Sequence, residues 1–308
     1  MVKNGSVTKV MIIFLAITLV SSSFTAFSSP VLAAGPGTFI DVFVTAGSGG
    51  LFAPDGFTFG PDGNLYVNDE SLDSVLRYDG ATGAFIDIFV TAGSGGLNGP
   101  TGLSFEPDGK LYVTSYKSDE VLRYDGTTGA FIDAFVTAGS GGLNEPYDLL
   151  FGPDGNLYVS SYKTDKVKRY DGTTGAFIDN FIPAGSGGLN GPDTLSFDPD
   201  GKLYVSSYLS DEVLRYDGTT GAFIDAFVTA GSGGLNNPYG ILFGPDGNLY
   251  VASDGNKKVK RYDGTTGAFI DNFVPAGSGG LNKPYDLLFG PDGNFYVVSS
   301  QSSEILRY

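Results

Sequence analysis

The sequence repeats itself every 46 residues, and this period limits the possible folds more than any other feature. Pro-Asp-Gly recurs in phase along the chain, beginning at Pro61, Pro107, Pro153, Pro199, Pro245 and Pro291. Arg-Tyr-Asp-Gly follows each of the first five copies, beginning at Arg77, Arg123, Arg169, Arg215 and Arg261, and the chain ends on Arg307-Tyr308. Six copies of one structural unit are therefore present, and a repeat architecture is expected.

Each unit has the pattern of four short antiparallel strands. In the second unit, apolar and aromatic runs at 102–105, 111–115, 121–124 and 130–136 are separated by turn sequences rich in Gly, Pro and Asp. Four strands at a period of about 45 residues are typical of a propeller blade, whereas the coils of a β-helical solenoid, the alternative, are much shorter. The sequence therefore predicts an all-β fold, a six-bladed β-propeller over residues 35–308.

The two ends of the repeat region predict how the ring closes. Phe39-Ile40-Asp41 matches Phe131-Ile132-Asp133, which lies in a fourth strand, yet it precedes the first complete unit. The sixth unit stops after its third strand. We expect residues 38–44 to supply the missing fourth strand, so that the N-terminal strand joins the first and last blades.

The first 34 residues have the layout of a cleavable signal peptide. Lys3 and Lys9 precede an apolar run at 10–20, and small residues end the segment at Ala33-Ala34. A membrane anchor is the alternative, but eleven apolar residues are too few to span a bilayer. The sequence predicts a secreted or periplasmic protein with no membrane insertion after cleavage of residues 1–34.

Composition excludes several classes of chemistry. The chain has no His and no Cys, which removes histidine and cysteine nucleophile systems and Cys/His zinc sites. Cleavage of the leader removes two lysines and no acid, so the net charge falls from −16 to −18 and no nucleic-acid partner is expected. The local excess of lysine at Lys163, Lys166, Lys168, Lys257, Lys258 and Lys260 is interpreted as a solvated strand face.

The unit resembles a known repeat family. Pro-x-Gly/Asp-Leu-x-Phe-x-Pro-Asp-Gly-x-Leu-Tyr-Val, followed about ten residues later by Val-x-Arg-Tyr-Asp, is similar to the NHL repeat and to related six-bladed propellers, among them the regucalcin/gluconolactonase and streptogramin lyase families. The resemblance implies the fold, which hosts lyases, lactonases and binding modules alike. Streptogramin lyases use a histidine, so their activity is not implied for this chain.

Variation between the units is concentrated in the loops that should surround one mouth of the channel. The position after the loop proline is occupied by Asp55, Thr101, Tyr147, Asp193, Tyr239 and Tyr285, and the next by Gly56, Gly102, Asp148, Thr194, Gly240 and Asp286. The loops between second and third strands add Tyr116, Tyr162 and Tyr208. We predict a ligand site at this mouth, formed by Tyr147, Asp148, Asp193, Tyr239, Tyr285, Asp286, Tyr116, Tyr162 and Tyr208. Wedging of the tyrosines between blades is the structural alternative.

Two aspartates are candidate metal ligands. Pro54-Asp55-Gly56 is similar to the Pro-Asp-Gly that carries a metal-binding carboxylate in the regucalcin/gluconolactonase family, and Asp193 has the same repeat position. The resemblance implies a site for a divalent cation such as Ca²⁺, for which Asp55, Asp148, Asp193 and Asp286 could supply oxygen ligands near the axis. Asp55 and Asp193 lie three blades apart and would need bridging waters. In the alternative interpretation the aspartates cap backbone N–H groups. A pair of opposed carboxylates also suits glycoside hydrolysis, for which the sequence does not fix the separation.

Two further motifs are interpreted as structural. The six Ala-Gly-Ser-Gly-Gly segments lack the Lys and the helix of a phosphate loop and are expected to be flexible connections. The Arg of each third strand is expected to pair with the Asp of Phe-Ile-Asp in the fourth strand.

From the variable residues at the channel mouth we predict a non-enzymatic module that binds a glycan, peptide or protein there. The alternative is a divalent-metal-dependent, lactonase-like hydrolase.

Overall fold

The computed structural model describes residues 37–308, which form a six-bladed propeller of 24 strands in six sheets of four. Every complete blade is an antiparallel meander, as the sequence predicted. The predicted leader, residues 1–34, lies outside the described residues. No helix in the described range is long and apolar enough to cross a bilayer.

The strands follow one another blade by blade. The closing strand is β1 (Asp41–Val44). Blades 1 to 3 contain β2 (Pro54–Phe59), β3 (Leu65–Asp69), β4 (Ser74–Tyr78) and β5 (Phe85–Val90); β6 (Pro100–Phe105), β7 (Lys110–Ser115), β8 (Glu120–Asp125) and β9 (Phe131–Val136); β10 (Pro146–Phe151), β11 (Leu157–Ser161), β12 (Lys166–Tyr170) and β13 (Phe177–Ile182). Blades 4 to 6 contain β14 (Pro192–Phe197), β15 (Leu203–Ser207), β16 (Glu212–Tyr216) and β17 (Phe223–Val228); β18 (Pro238–Phe243), β19 (Leu249–Ser253), β20 (Lys258–Tyr262) and β21 (Phe269–Val274); β22 (Pro284–Phe289), β23 (Phe295–Ser299) and β24 (Glu304–Arg307).

Short 3₁₀ turns connect the strands. Six precede the first strands, at Ser48–Gly50, Ser94–Gly96, Ser140–Gly142, Ser186–Gly188, Ser232–Gly234 and Ser278–Gly280. Three follow second strands, at Tyr162–Thr164, Asp254–Asn256 and Ser300–Ser302.

Ring closure by the N-terminal strand is confirmed. β1 pairs antiparallel with β24 and completes the sheet of β22, β23 and β24. Asp41 lies opposite Arg307, and the Ile40 N–H donates to the Arg307 carbonyl at 2.8 Å. Phe43 and Val44 are buried in the cluster between blades 6 and 1. The last blade is thus a composite of both chain ends.

The core lies between blades, in six clusters that each join two neighbours. All residues of the second strands are buried, apart from the partly exposed Lys110 at the start of β7, which explains why these strands are so apolar. A tyrosine of each second strand meets a fourth-strand phenylalanine edge-to-face, with ring centroids 4.8–5.0 Å apart. Such pairs favour this edge-to-face geometry and add to the burial energy.

The predicted pairing of third-strand arginines with fourth-strand aspartates is confirmed in every blade. The guanidinium and carboxylate approach to 2.5–2.6 Å in Arg77–Asp87, Arg123–Asp133, Arg169–Asp179, Arg215–Asp225, Arg261–Asp271 and Arg307–Asp41. The last pair connects the two ends of the chain, so the closing strand makes the same contact as every other fourth strand.

The Ala-Gly-Ser-Gly-Gly segments, which the sequence predicted to be flexible connections, form a 3₁₀ turn before the first strand of each blade. In each blade a third-strand tyrosine hydroxyl, such as that of Tyr78, donates to the serine carbonyl of the turn at 2.8–2.9 Å. Gly49 has φ 64°, and a Cβ there would lie 2.1 Å from the Phe85 ring. The glycines therefore allow a tight turn against the blade.

The interpretation of the lysines as a solvated face is wrong for Lys168 and Lys260, which are each only 1% exposed. The Lys168 Nζ donates to the Gly141 carbonyl at 2.8 Å and to Asn180 Oδ1 at 3.0 Å. Lys260 makes the equivalent bonds to Gly233 and Asn272. Each ammonium is thus buried because the turn and the fourth strand supply acceptors.

Candidate functional site

The variable loop positions meet at one end of the channel, around a cavity of about 40 Å³. The antiparallel meander brings the loops before first strands and those after second strands to the same face. The cavity is lined by Asp55, Gly56, Thr101, Gly102, Tyr147, Asp148, Asp193, Thr194, Tyr239, Tyr285 and Asp286. Asp55 and Asp193 belong to opposite blades, yet both carboxyls reach this one small space.

Asp148 and Asp286 connect neighbouring blades. Asp148 Oδ1 accepts the Leu149 N–H and its Oδ2 accepts the Leu195 N–H of blade 4, both at 2.8 Å. Asp286 does the same with Leu287 at 2.8 Å and with Phe57 of blade 1 at 3.2 Å. For these two residues the structure shows the capping role that was the alternative to metal binding.

Glycine occupies the equivalent position where the next blade comes too close for a side chain. A Cβ at Gly56 would lie 2.1 Å from the Thr101 carbonyl oxygen, and one at Gly240 would lie 2.4 Å from that of Tyr285. The choice between Asp and Gly at this position therefore depends on the distance to the neighbouring blade.

Asp55 and Asp193 make fewer hydrogen bonds than Asp148 and Asp286. Asp193 is only 6% exposed, its Oδ1 accepts the Thr194 hydroxyl at 3.3 Å, and its Oδ2 has no partner among the described residues. Burial, reinforced by the charge of Asp55, holds the pKa of Asp193 well above its usual range. Burial, reinforced by Glu70, Asp286 and Asp148, does the same to the pKa of Asp55. Ionisation of these two carboxyls is therefore costly unless a positively charged group binds next to them.

The donor set does not form a complete metal centre. Within residues 37–308 no group of three or more Asp or Glu side chains is arranged to hold an ion. The oxygens of Asp148 and Asp286 already accept backbone N–H groups, which leaves Asp55 and Asp193 as the available carboxyls. Since Ca²⁺ requires six to eight oxygen ligands, these residues alone fit it poorly.

Six tyrosines form a continuous arc on the same face. Neighbouring ring centroids are 4.3–6.4 Å apart along the order Tyr116, Tyr147, Tyr162, Tyr208, Tyr239 and Tyr285. Tyr147, Tyr239 and Tyr285 line the cavity, whereas Tyr116, Tyr162 and Tyr208 pack outside them. The arc crosses blade boundaries, so the same rings also pack between blades. Glu70, Asp254 and Ser300 replace tyrosine in the remaining loops, which makes the mouth asymmetric.

Sequence reasoning missed a larger cavity farther along the channel. Its volume is about 510 Å³, and six apolar side chains at equivalent repeat positions surround it: Phe57, Leu103, Leu149, Leu195, Ile241 and Leu287. Asp148, Thr194 and Asp286 line both cavities and lie between them. The available signal in the sequence was an apolar residue at this position in all six units. The same pattern is equally expected for a residue in the core of a blade.

Neither a protein-family model nor a curated protein matches this sequence, so the NHL resemblance stays a prediction. Solved structures match its fold. A gluconolactonase from Xanthomonas campestris aligns with a TM-score of 0.66 at 17% identity, over 90% of this chain and 98% of that one. A catalytically inactive virginiamycin B lyase from Staphylococcus aureus, solved with quinupristin, aligns with a TM-score of 0.62 at 16% identity, over 83% and 81% of the two chains. A streptogramin B lyase gives 0.60 at 16% identity, over 87% and 95%. The recognised six-bladed architecture is thereby confirmed.

Proposed function

We propose that this protein binds a ligand at the mouth defined by the tyrosine arc and the small acidic cavity. The observation that carries the proposal is the convergence of Tyr147, Tyr239 and Tyr285 on a cavity that holds the unpartnered Asp193 Oδ2. A concave site with few polar groups among aromatic rings is typical of ligand recognition. The candidate ligands are a glycan, a peptide or a protein segment, and the predicted leader makes the binding extracytoplasmic, in a secreted or periplasmic protein.

Binding should be tested with glycan and peptide arrays. Changing Tyr116, Tyr162 and Tyr208 together to Ala removes half of the arc while the three tyrosines that line the cavity remain, and binding should fall at least about tenfold. The matched control changes Thr127, Thr173 and Thr219 to Ala, in exposed turns of the opposite face. Loss of binding in the control, with full binding in the folded tyrosine variant, would place recognition on the opposite face.

A divalent-metal-dependent, lactonase-like hydrolase is the second candidate. Its support is the fold similarity to a gluconolactonase and the presence of four aspartates around one cavity. Asp55 and Asp193 would hold the ion with bridging waters, and the chemistry supplied there would be polarisation of a substrate carbonyl. The two carboxylates would fix its position, and the tyrosines would exclude bulk water from one side.

Calorimetry with Ca²⁺ and an assay of gluconolactone hydrolysis test this candidate. If it is correct, Ca²⁺ binds saturably, Asp193→Asn weakens the binding and hydrolysis depends on the ion. Absence of both heat and a shift in melting temperature at millimolar Ca²⁺ would remove the hydrolase candidate and leave the binding proposal intact.

A further inference from the structure

The carboxyls that line the acidic cavity have no positively charged side chain beside them in the described part of the chain. Four aspartates line the cavity, and no lysine or arginine of the described chain does. Asp193 Oδ2 is buried there without a hydrogen-bond partner in residues 37–308. A buried polar atom without a hydrogen bond is costly, and a donor that also carries positive charge would both satisfy this oxygen and offset the neighbouring carboxyls.

Two tyrosines outside the cavity, Tyr116 and Tyr162, each lie beside a lysine ammonium group. The Lys117 ammonium lies 5.0 Å from the Tyr116 ring centroid and 3.3 Å from Glu70 Oε1. The Lys163 ammonium lies 5.8 Å from the Tyr162 ring centroid and 3.6 Å from Glu145 Oε2. Twice, therefore, a tyrosine, a carboxylate and an ammonium group form one cluster, which is the arrangement that cation–π attraction and ion pairing favour.

The inner part of the arc repeats this arrangement without the cation. Tyr147, Tyr239 and Tyr285 supply the rings, and Asp55 and Asp193 supply the carboxyls. We infer that the mouth binds an organic ammonium group, which enters the cavity toward Asp193 and lies against these three tyrosines. This inference rests on the proposed function and names the chemical class of its ligand.

The volume of the cavity distinguishes this ligand from others. About 40 Å³ holds a few water-sized groups, enough for an ammonium head and too little for a sugar ring. An anion would meet four carboxyls and no cation. A metal ion would need more free oxygen ligands than Asp55 and Asp193 provide. The body of the ligand would remain on the arc outside the cavity.

The ammonium group can come from a free amine or from a lysine side chain of a partner protein, and two probes separate these sources. One is n-butylammonium, with n-butanol as its neutral counterpart. The other is the peptide acetyl-Gly-Gly-Lys-Gly-Gly-amide, with Nε-acetyl-lysine in the matched control. Calorimetry at pH 7 should show saturable binding of at least one ammonium probe and none of its neutral counterpart. Tighter binding of the peptide indicates a lysine, and binding of the amine alone indicates a small molecule.

Asp193→Asn tests the contact without changing the shape of the site, and affinity should fall at least about tenfold. Asp200→Asn is the control, because it is the same substitution at a carboxylate that is 82% exposed in a turn of the opposite face. Binding should also release protons, seen as different heats in phosphate and Tris buffers, because the arriving cation favours ionised carboxyls whose pKa burial had raised.

The outcomes separate this inference from the proposed function. Absence of heat with both ammonium probes, or equal affinity of the Asp193→Asn variant, overturns the ammonium ligand. If an array then identifies a neutral ligand that the variant with Tyr116, Tyr162 and Tyr208 changed to Ala loses, the binding function stands without the ammonium inference. If neither the probes nor the arrays give binding, both proposals fail.

Discussion

The same residue type has two different roles around the cavity. Asp148 and Asp286 accept backbone N–H groups from two blades each, whereas Asp55 and Asp193 keep oxygens available to a ligand. Repeat position decides which role an aspartate takes, because Asp148 and Asp286 occupy the position that follows the one held by Asp55 and Asp193. Hydrogen bonds from fixed N–H groups stabilise the charged form of Asp148 and Asp286, and they partly offset burial, which acts on all four carboxyls.

The stability of the protein should decrease between pH 5 and pH 7.5. Burial raises the pKa of Asp148 to about 7 and that of Asp286 to about 6, so the folded state holds protons that the unfolded state has lost above about pH 4. This stabilisation is complete below the unfolded pKa and is lost as the pH rises through the folded values. We expect a loss on the order of 1–3 kcal/mol in the free energy of unfolding, measured by urea denaturation.

The pH range separates this effect from those of the turn aspartates and the buried lysines. Turn aspartates such as Asp62 have lowered pKa values and change the stability only below about pH 4. The buried Lys168, whose pKa burial lowers to about 8, changes the stability only from about pH 8 upward. The variant with Asp148→Asn and Asp286→Asn should show a flatter dependence. An equally steep decrease in that variant would assign the effect to Asp55 and Asp193.

The buried lysines make a second prediction at the level of single residues. Lys168 pairs with Asn180, whereas the equivalent positions of blade 2 carry Leu122 and Ala134. Lys168→Leu alone removes the donor to Asn180 and to the Gly141 carbonyl, and it should lower the free energy of unfolding by roughly 1–3 kcal/mol. Adding Asn180→Ala recreates the blade 2 pair and should recover part of this loss. Additive losses in a double-mutant cycle would show that the two side chains are not coupled.

At the scale of elements, the closing strand carries the same contacts as the five fourth strands within the chain. Phe43 lies edge-to-face on Tyr296 at 5.0 Å, as Phe135 does on Tyr112 at 5.0 Å. Both phenylalanines are 5% exposed. The closing strand differs in chain connectivity, because its partner strand β24 is more than 250 residues away in sequence, and in length, with four residues where the other fourth strands have six.

Phe43→Ala should therefore cost as much stability as Phe135→Ala, roughly 3–5 kcal/mol, because each removes a buried aromatic ring from an equivalent site. Ile40→Ala, at a side chain of the same segment that is 50% exposed, should stay within about 0.5 kcal/mol. Urea denaturation measures all three. A small effect of Phe43→Ala beside a large effect of Phe135→Ala would mean that the ring is open in solution.

At the scale of the whole molecule, closure makes every blade an internal one. Six similar core clusters join the blades, including the one between blades 6 and 1. An open array can unfold from its ends, because its terminal repeats have one neighbour only. A closed ring has no such weak end, so its blades should unfold together.

Val67→Ala in blade 1 and Val205→Ala in blade 4 test this cooperativity, because both side chains are fully buried at the same repeat position. Each should shift a single unfolding transition by the same amount, roughly 1–2 kcal/mol. Circular dichroism and the fluorescence of the 18 tyrosines, in a chain without tryptophan, should give coincident curves. A separate early transition in the blade 1 variant alone would indicate that the ring opens there first.

The sequence by itself determined the architecture, because a 46-residue period and the phase of Phe39-Ile40-Asp41 specify six blades and their closure through local patterns. It also placed the variable tyrosines and aspartates at one mouth, since strand alternation fixes which loops share a face. Only the tertiary structure decided what each aspartate does, because that depends on which N–H groups of the neighbouring blade come within hydrogen-bonding distance. The burial of Lys168 was decided in the same way, by acceptors 12 and 27 residues away in sequence that only folding brings to its ammonium group.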